Sequence, residues 1–207
     1  MKGLIKPINT MLNRRSDEFT VGEISSDETK YLIESMYKIA NCHKADSKNK
    51  SKLKLVGLAA PQLGVLKRLI LVDVKSRFDG KNKNHDYRLF FNPRIISASK
   101  RTNLFKEGCF STGNVTGIVR RSNKVIISAL DENGSEVVFE SRTNFVARII
   151  QHEIDHLDGI RFPSRVTDPS KLHIVTKDDR KAYKTDWRKW QKLCPIDDWL
   201  RMYSGKK

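Results

Sequence analysis

Residues 143–158 constrain this chain more than any other stretch. Apolar side chains recur there at helical spacing, and Gly159 follows as a natural C-terminal stop. Phe145, Ile149, His152 and His156 fall on one stripe, with Val146, Ile150, Glu153 and Leu157 beside it; Ala147, Gln151, Asp155 and Asp158 take the opposite side. Two imidazoles therefore continue an apolar face, which puts them inside a core rather than in open water. Such a face needs a sheet or another helix to cover it. His152 and His156 stand one helical turn apart on the same side, so both rings can reach a single ion. Glu153 is turned by about 100° from His152, near enough to take a proton from a metal-activated water without being a ligand. The pattern HExxH is short, and alone it specifies little.

The rest of the chain supplies the covering layer. Residues 68–74 (RLILVDV), 88–91, 94–98 and 124–130 are short, rich in branched or aromatic side chains and bounded by turn formers, so strands are expected. The DENG turn at residues 131–134 should join 124–130 to 137–140 as a hairpin, Asn133-Gly134 being a strong turn pair. Ser25 with Glu28 reads as a capping box opening a helix whose inward stripe is Leu32, Met36, Ile39 and Ala40. Residues 43–54 have no periodicity and read as an exposed loop. Strands first and a buried helix late give an α+β fold: mixed or antiparallel sheets packed around a central metal-binding helix that carries HExxH. No internal repeat is visible. The expected organisation is a catalytic domain over residues 1–165 and a basic extension over 166–207. Trp187, Trp190 and Trp199 of that extension are expected to pack on the domain, with stacking on RNA bases as the competing use.

Composition narrows the class. In 207 residues, 38% hydrophobic and 31% charged content fits a soluble globular protein. No apolar run approaches the roughly 20 residues that span a bilayer, so no membrane partner is expected. The start, MKGLIKPINTMLNRRS, lacks the apolar core of a secretory signal. Three cysteines without framework spacing indicate a reducing compartment, with Cys42 and Cys194 read as free thiols. The expected location is cytoplasmic, the basic, acid-free start leaving organelle targeting open. A formal charge of +16 fits either an RNA-rich neighbourhood such as the ribosome or a lysine-heavy solvated surface.

Two histidines do not complete a metal site, because catalytic centres usually take three protein ligands and keep one position open. Metzincin proteases place a third His where this chain has Phe162, and thermolysin-like proteases use a downstream Glu, of which there is none after Glu153. His173 and several Asp remain downstream. Upstream stands Cys109, between Gly108 and Phe110, where little helical character would let a thiolate be aimed at an ion. The bland reading of a lone Cys is a small buried hydrophobe.

Three segments resolve the choice by resemblance. GLAAPQ (residues 57–62), EGCFS (107–111) and QHEIDHLDG (151–159), in this order, resemble the three motifs of the peptide deformylase family and cover the core of the chain. The resemblance implies a metal-dependent hydrolase that removes the N-formyl group from the N-terminal methionine of nascent polypeptides and releases formate. It implies Cys109, His152 and His156 as metal ligands and Glu153 as general acid/base. Gln62 would donate its amide to the formyl oxygen, with the backbone N–H of Phe110 as a second donor. The peptide would lie extended along Gly57 by strand addition, passing Gly108. Its methionine would enter a pocket of Val56, Glu107, Phe110, Phe145, Arg148 and Ile149, and Glu107 would pair with Arg121. The implied cofactor is one divalent ion, typically Fe(II), with Zn(II), Ni(II) or Co(II) as substitutes. The implied partner is the N-formyl-methionyl nascent peptide, with the ribosome as a candidate for the basic surface.

The chain departs from the family pattern at three places. Leu55 stands where the first motif begins with Gly; Thr112, Gly113 and Asn114 replace an apolar residue, Pro and Gly; and the Lys-rich stretch before Leu55 is longer than usual. Every proposed ligand survives, so these changes bear on substrate preference. Two further readings are a deacylase of other N-acylated peptides and a ribosome- or RNA-associated binding protein with a vestigial site. Retention of Cys109, Glu153 and Gln62 argues against the latter.

Overall fold

The computed structural model describes residues 3–40, 55–80 and 84–203. In chain order these form α1 (Val21–Ile24), α2 (Asp27–Ala40), β1 (Gly57–Ala59), β2 (Leu69–Asp73), β3 (Tyr87–Ala98), β4 (Thr102–Gly108), β5 (Val115–Ser122), β6 (Val125–Leu130), β7 (Glu136–Glu140), α3 (Asn144–Leu157), β8 (Leu172–Ile174), α4 (Arg180–Asp186) and α5 (Ile196–Tyr203), with short 3-10 turns between them. One sheet runs β1-β2-β3-β6-β7 and a second β4-β5-β8. Every pairing in both is antiparallel. The α+β expectation holds.

Burial on both faces of the larger sheet explains the layering. All five residues of β2 are buried, and alternation sends Ile70 and Val72 to one side and Leu69 and Leu71 to the other. The first side meets Val146, Ile149, Ile150, Ile154 and Leu157 of α3. The second meets Leu32 and Met36 of α2. Each such side chain contributes about 1.5–3 kcal/mol by leaving water. A third cluster joins Val115 and Val119 of β5, Phe162, Leu172, Cys194 and Trp199, which seats α5 against the smaller sheet.

The residue 131–134 turn forms as expected: the Asp131 N–H donates to the Ser135 carbonyl, and Gly134 takes φ 77°. The helix over 144–157 also forms, capped by Thr143, whose hydroxyl accepts from the Val146 N–H at 3.1 Å. Its opposite side is not a solvent face, since Ala147 and Asp155 are both buried. Other expectations need correction. The helix expected from Ser25 is capped by Ser26, whose hydroxyl accepts from the Thr29 N–H; the capping box belongs to Thr20 and Glu23 at α1. Residues 88–91 and 94–98 form one strand, β3, interrupted by register shifts rather than by a turn. Asn92 holds φ 49° there because its amide bonds both backbone groups of Phe19, and Pro93 follows. The stretch 43–54, with Cys42 before it, lies outside the described residues. Among the described residues no helix is long and apolar enough to cross a membrane.

Candidate metal centre and active site

Three elements converge on one point. Helix α3 brings His152, Glu153 and His156. Strand β4 ends at Gly108 and delivers Cys109 in extended conformation, as the cap of the turn Phe110–Thr112. Strand β1 brings Gly57, and the turn Ala60–Leu63 that follows it brings Gln62. Ligand atoms of Cys109, His152 and His156 all lie within 4.8 Å of one another. Cys109 Sγ stands 3.4 Å from His156 Nε2. His152 Nδ1 lies 2.9 Å from Glu107 Oε2, which fixes that nitrogen as the donor and leaves Nε2 for the thiol side.

The electrostatics suit a cation. Burial pushes the Cys109 thiol up, yet the flanking His156 and His152 rings overcome it and hold the group well below its ordinary value. Burial raises the Glu153 carboxyl to about 7 against the pull of the same two imidazoles. Glu153 Oε2 and His156 Nδ1 are buried without a hydrogen-bond partner. One soft sulfur, two imidazole nitrogens and an orphaned carboxylate oxygen beside them fit a divalent transition metal with a position left for solvent.

A buried charge network fixes the ligands from behind. The two oxygens of Glu107 accept from Arg121 Nε and Nη2, both at 3.0 Å, and Oε1 also accepts from Arg148 Nη1 at 2.6 Å. Burial opposes ionisation of Glu107, but His152 and Arg121 hold its carboxyl well below the usual range. Arg121 also donates to Asp155 at 2.5 Å, and Arg165 bonds the other oxygen of Asp155 at 2.6 Å. Arg148, expected as a pocket wall, spends its guanidinium on this network, the Val119 carbonyl and Asn103. Asp155, Arg165 and Asn103 escaped notice in the sequence, because an Asp on the far side of an amphipathic helix reads as solvated.

Gln62 is oriented from both ends. Its Oε1 accepts from the Ala59 N–H at 2.8 Å, so Nε2 faces Ser111 Oγ at 3.1 Å and Cys109 Sγ at 3.4 Å. Gly57 is required as glycine: a Cβ there would stand 2.5 Å from Glu153 Oε1 and 2.6 Å from Ile149 Cγ2. Every site residue named from the sequence, His156 excepted, lines one cavity of ≈310 Å³, completed by Leu4, Leu55 and Lys106. Phe110 stands half exposed at its mouth, and the Phe145 ring packs on Phe78 at 4.4 Å between centroids.

The TGN departure meets the tail. The Thr112 carbonyl accepts from Trp199 Nε1 at 3.1 Å, and a side chain at Gly113, with φ 74°, would collide with the Tyr203 hydroxyl. Buried Arg161 bonds the carbonyls of Pro7, Ser111 and Tyr203 and the Asn13 side chain, and lies 4.7 Å from the Trp199 ring centroid. Trp199 is therefore a packing residue. His173 bonds Tyr183 and the Ser170 carbonyl and stands outside the metal-ligating group. Phe162 is buried, its ring 6.1 Å from that of His152.

A cysteine sulfur, two imidazoles and a buried carboxylate on an α+β scaffold have the make-up of a single-metal hydrolase. The chain belongs to the polypeptide deformylase family, whose sequence model matches residues 2–172. It is 39% identical over 166 residues to the peptide deformylase of Thermodesulfovibrio yellowstonii, covering 80% of this chain and 87% of that one. It is 34% identical over 170 residues to the enzyme of Fusobacterium nucleatum, with 81% and 84% covered. Among solved structures, the Met-Ala-Ser-bound class I type b peptide deformylase of Acinetobacter baumannii superposes with a TM-score of 0.67 at 28% identity, covering 80% of this chain and 98% of that one. The peptide deformylase of Thermotoga maritima gives 0.65 at 25% identity, with 81% and 99% covered.

Proposed function

We infer that the protein is a peptide deformylase, hydrolysing the formamide at the N-terminal methionine of nascent chains to free amine and formate. The observation that carries this reading is the convergence of the three motif segments, within a family match over residues 2–172, on one point where a cysteine sulfur, two imidazoles and an unpartnered carboxylate oxygen meet.

Cys109, His152 and His156 would hold one divalent ion, for which Fe(II) is the family's usual choice and Zn(II), Ni(II) or Co(II) are substitutes. Bound there, the ion supplies Lewis acidity and brings the pKa of a water down towards about 7. Glu153, whose carboxyl burial raises above its ordinary value, takes the proton of the attacking water at its free Oε2 and delivers it to the departing amine. Gln62 Nε2 and the Phe110 N–H donate to the formyl oxygen as negative charge develops there. The bare backbone of Gly57, on edge strand β1, accepts the extended peptide opposite Gly108, while Val56, Glu107, Phe145, Arg148 and Ile149 surround the methionine side chain. Residues 1–165 act as the catalytic domain and 166–207 as an extension packed on it, supported by Trp199 and Arg161. A cytoplasmic location and a dwell near the ribosome through the +16 surface complete the reading.

The test is anaerobic formate release from formyl-Met-Ala-Ser after iron, nickel or zinc loading. The expected result is turnover abolished by Glu153→Ala with metal still bound. RNA binding with no turnover in any metal form would overturn the reading, as would turnover confined to peptides bearing other acyl groups.

A further inference from the structure

A second cavity, of ≈430 Å³, adjoins the first across the ridge Gly108–Phe110, and Lys106 lines both. Its far wall is α4, which contributes Arg180, Tyr183 and Lys184. This wall lies beyond residue 172, where the match to the family model ends. None of Lys106, Arg180 and Lys184 makes an ion pair with a described carboxylate. Nearby acids are engaged elsewhere: Asp179 with Thr176 and Lys192, Asp186 with Lys189. Lys106 is held over the Tyr183 ring, 5.9 Å from its centroid. Partial burial lowers its pKa, and repulsion from Lys184 and Arg188 adds to the shift. Like charges gathered around a concavity, with no described carboxylate paired to them, suit an anion from outside.

Resting on the deformylase reading, we propose that this cavity is an extended substrate subsite. It takes an acidic side chain from one of the first residues after the formyl-methionine. The two cavities share Lys106, Gly108, Cys109 and Phe110, so a peptide whose methionine fills the first leaves over the ridge into the second. Its carboxylate then meets Arg180 and Lys184 from α4 and Lys106 from β4.

Peptides amidated at the C-terminus, which removes the terminal carboxylate, separate the two claims. Formyl-Met-Asp-Ser-amide is compared with formyl-Met-Asn-Ser-amide, and formyl-Met-Ala-Asp-amide with formyl-Met-Ala-Asn-amide. The Asp form should exceed its Asn isostere in kcat/KM by roughly threefold to tenfold at one of the two positions, and less in high salt. The double variant Arg180→Gln/Lys184→Gln should lose that advantage and keep its turnover of the Asn peptides, which also reports an intact fold. Should that variant fail to fold, the Asp/Asn ratio and salt dependence of the unaltered enzyme decide alone. Equal turnover of Asp and Asn at both positions, or an advantage that survives the double substitution, would overturn the subsite. Equal turnover joined to salt-sensitive binding of an RNA hairpin would reassign the cations to phosphate and overturn it as well. Formate from none of the peptides would instead sink the deformylase reading itself.

Discussion

Position 57 has no room for even a methyl group, because Glu153 and Ile149 occupy the space where it would go. Gly57→Ala must displace the Glu153 carboxylate, which we propose handles the proton, or shift the Gly57 backbone that would meet the peptide. Misplacing such a group by about 1 Å costs on the order of 10² in turnover. We expect that loss in kcat/KM with metal content unchanged; near-normal kinetics would show that Glu153 has slack. Gln62 is held by Ala59 and directed by Ser111, so Gln62→Ala removes a donor fixed in advance. It should lower kcat by about 10²–10³ with little change in KM, read from initial rates. At this scale the sequence was informative because the residues that converge on the cavity sit in short, contiguous motifs. The supports were less visible: Asn103, Asp155 and Arg165 reach the site from three separate elements, and only the folded chain brings them together.

Among the elements, α3 was legible and β4 and β5 were not. The helix repeats its apolar positions over four turns and carries a Thr cap and a terminal Gly, so local and tertiary signals agree. Thr143→Ala should cost about 1 kcal/mol, seen as a lower urea midpoint at constant slope. Strands β4 and β5 carry Lys106, Glu107, Arg120 and Arg121, charges that mask alternation although Glu107 and Arg121 are buried. The pairing of Glu107 with Arg121 from the resemblance was correct, yet it did not by itself reveal a hairpin register of Asn103 with Arg121 and Glu107 with Gly117. The tail was legible only as Trp-rich. Its role follows from Trp199, buried against Arg161 and bonded to the Thr112 carbonyl in the segment beside Cys109. Trp199→Ala should cost about 3–5 kcal/mol. It should also weaken metal retention against a chelator; a stability loss with metal affinity unmoved would show that the tail leaves the Cys109 loop unsupported.

For the molecule as a whole, acid is the weak side. Glu107 is held well below its ordinary 4.5, and exposed Glu23 is lowered to about 2 by Lys67 and Thr20. A group depressed in the folded state stabilises above its unfolded pKa and loses that contribution as pH falls towards the folded value. Glu153, raised to about 7, works the other way and costs stability as pH climbs from about 4.5 to 7. The depressed carboxyls make stability drop as pH falls between about 4.5 and 2, and the +16 charge adds repulsion in the same direction. A urea midpoint that rose on acidification through this window would contradict the network around Glu107. The proposed chemistry turns on one ion that Cys109, His152 and His156 would hold, and X-ray absorption at the edge of the loaded metal reads that directly. It predicts one metal per chain with one sulfur and two imidazole nitrogens, the sulfur lost in Cys109→Ser and kept in Glu153→Ala. A spectrum without sulfur, or one that Cys109→Ser leaves unchanged, would contradict it.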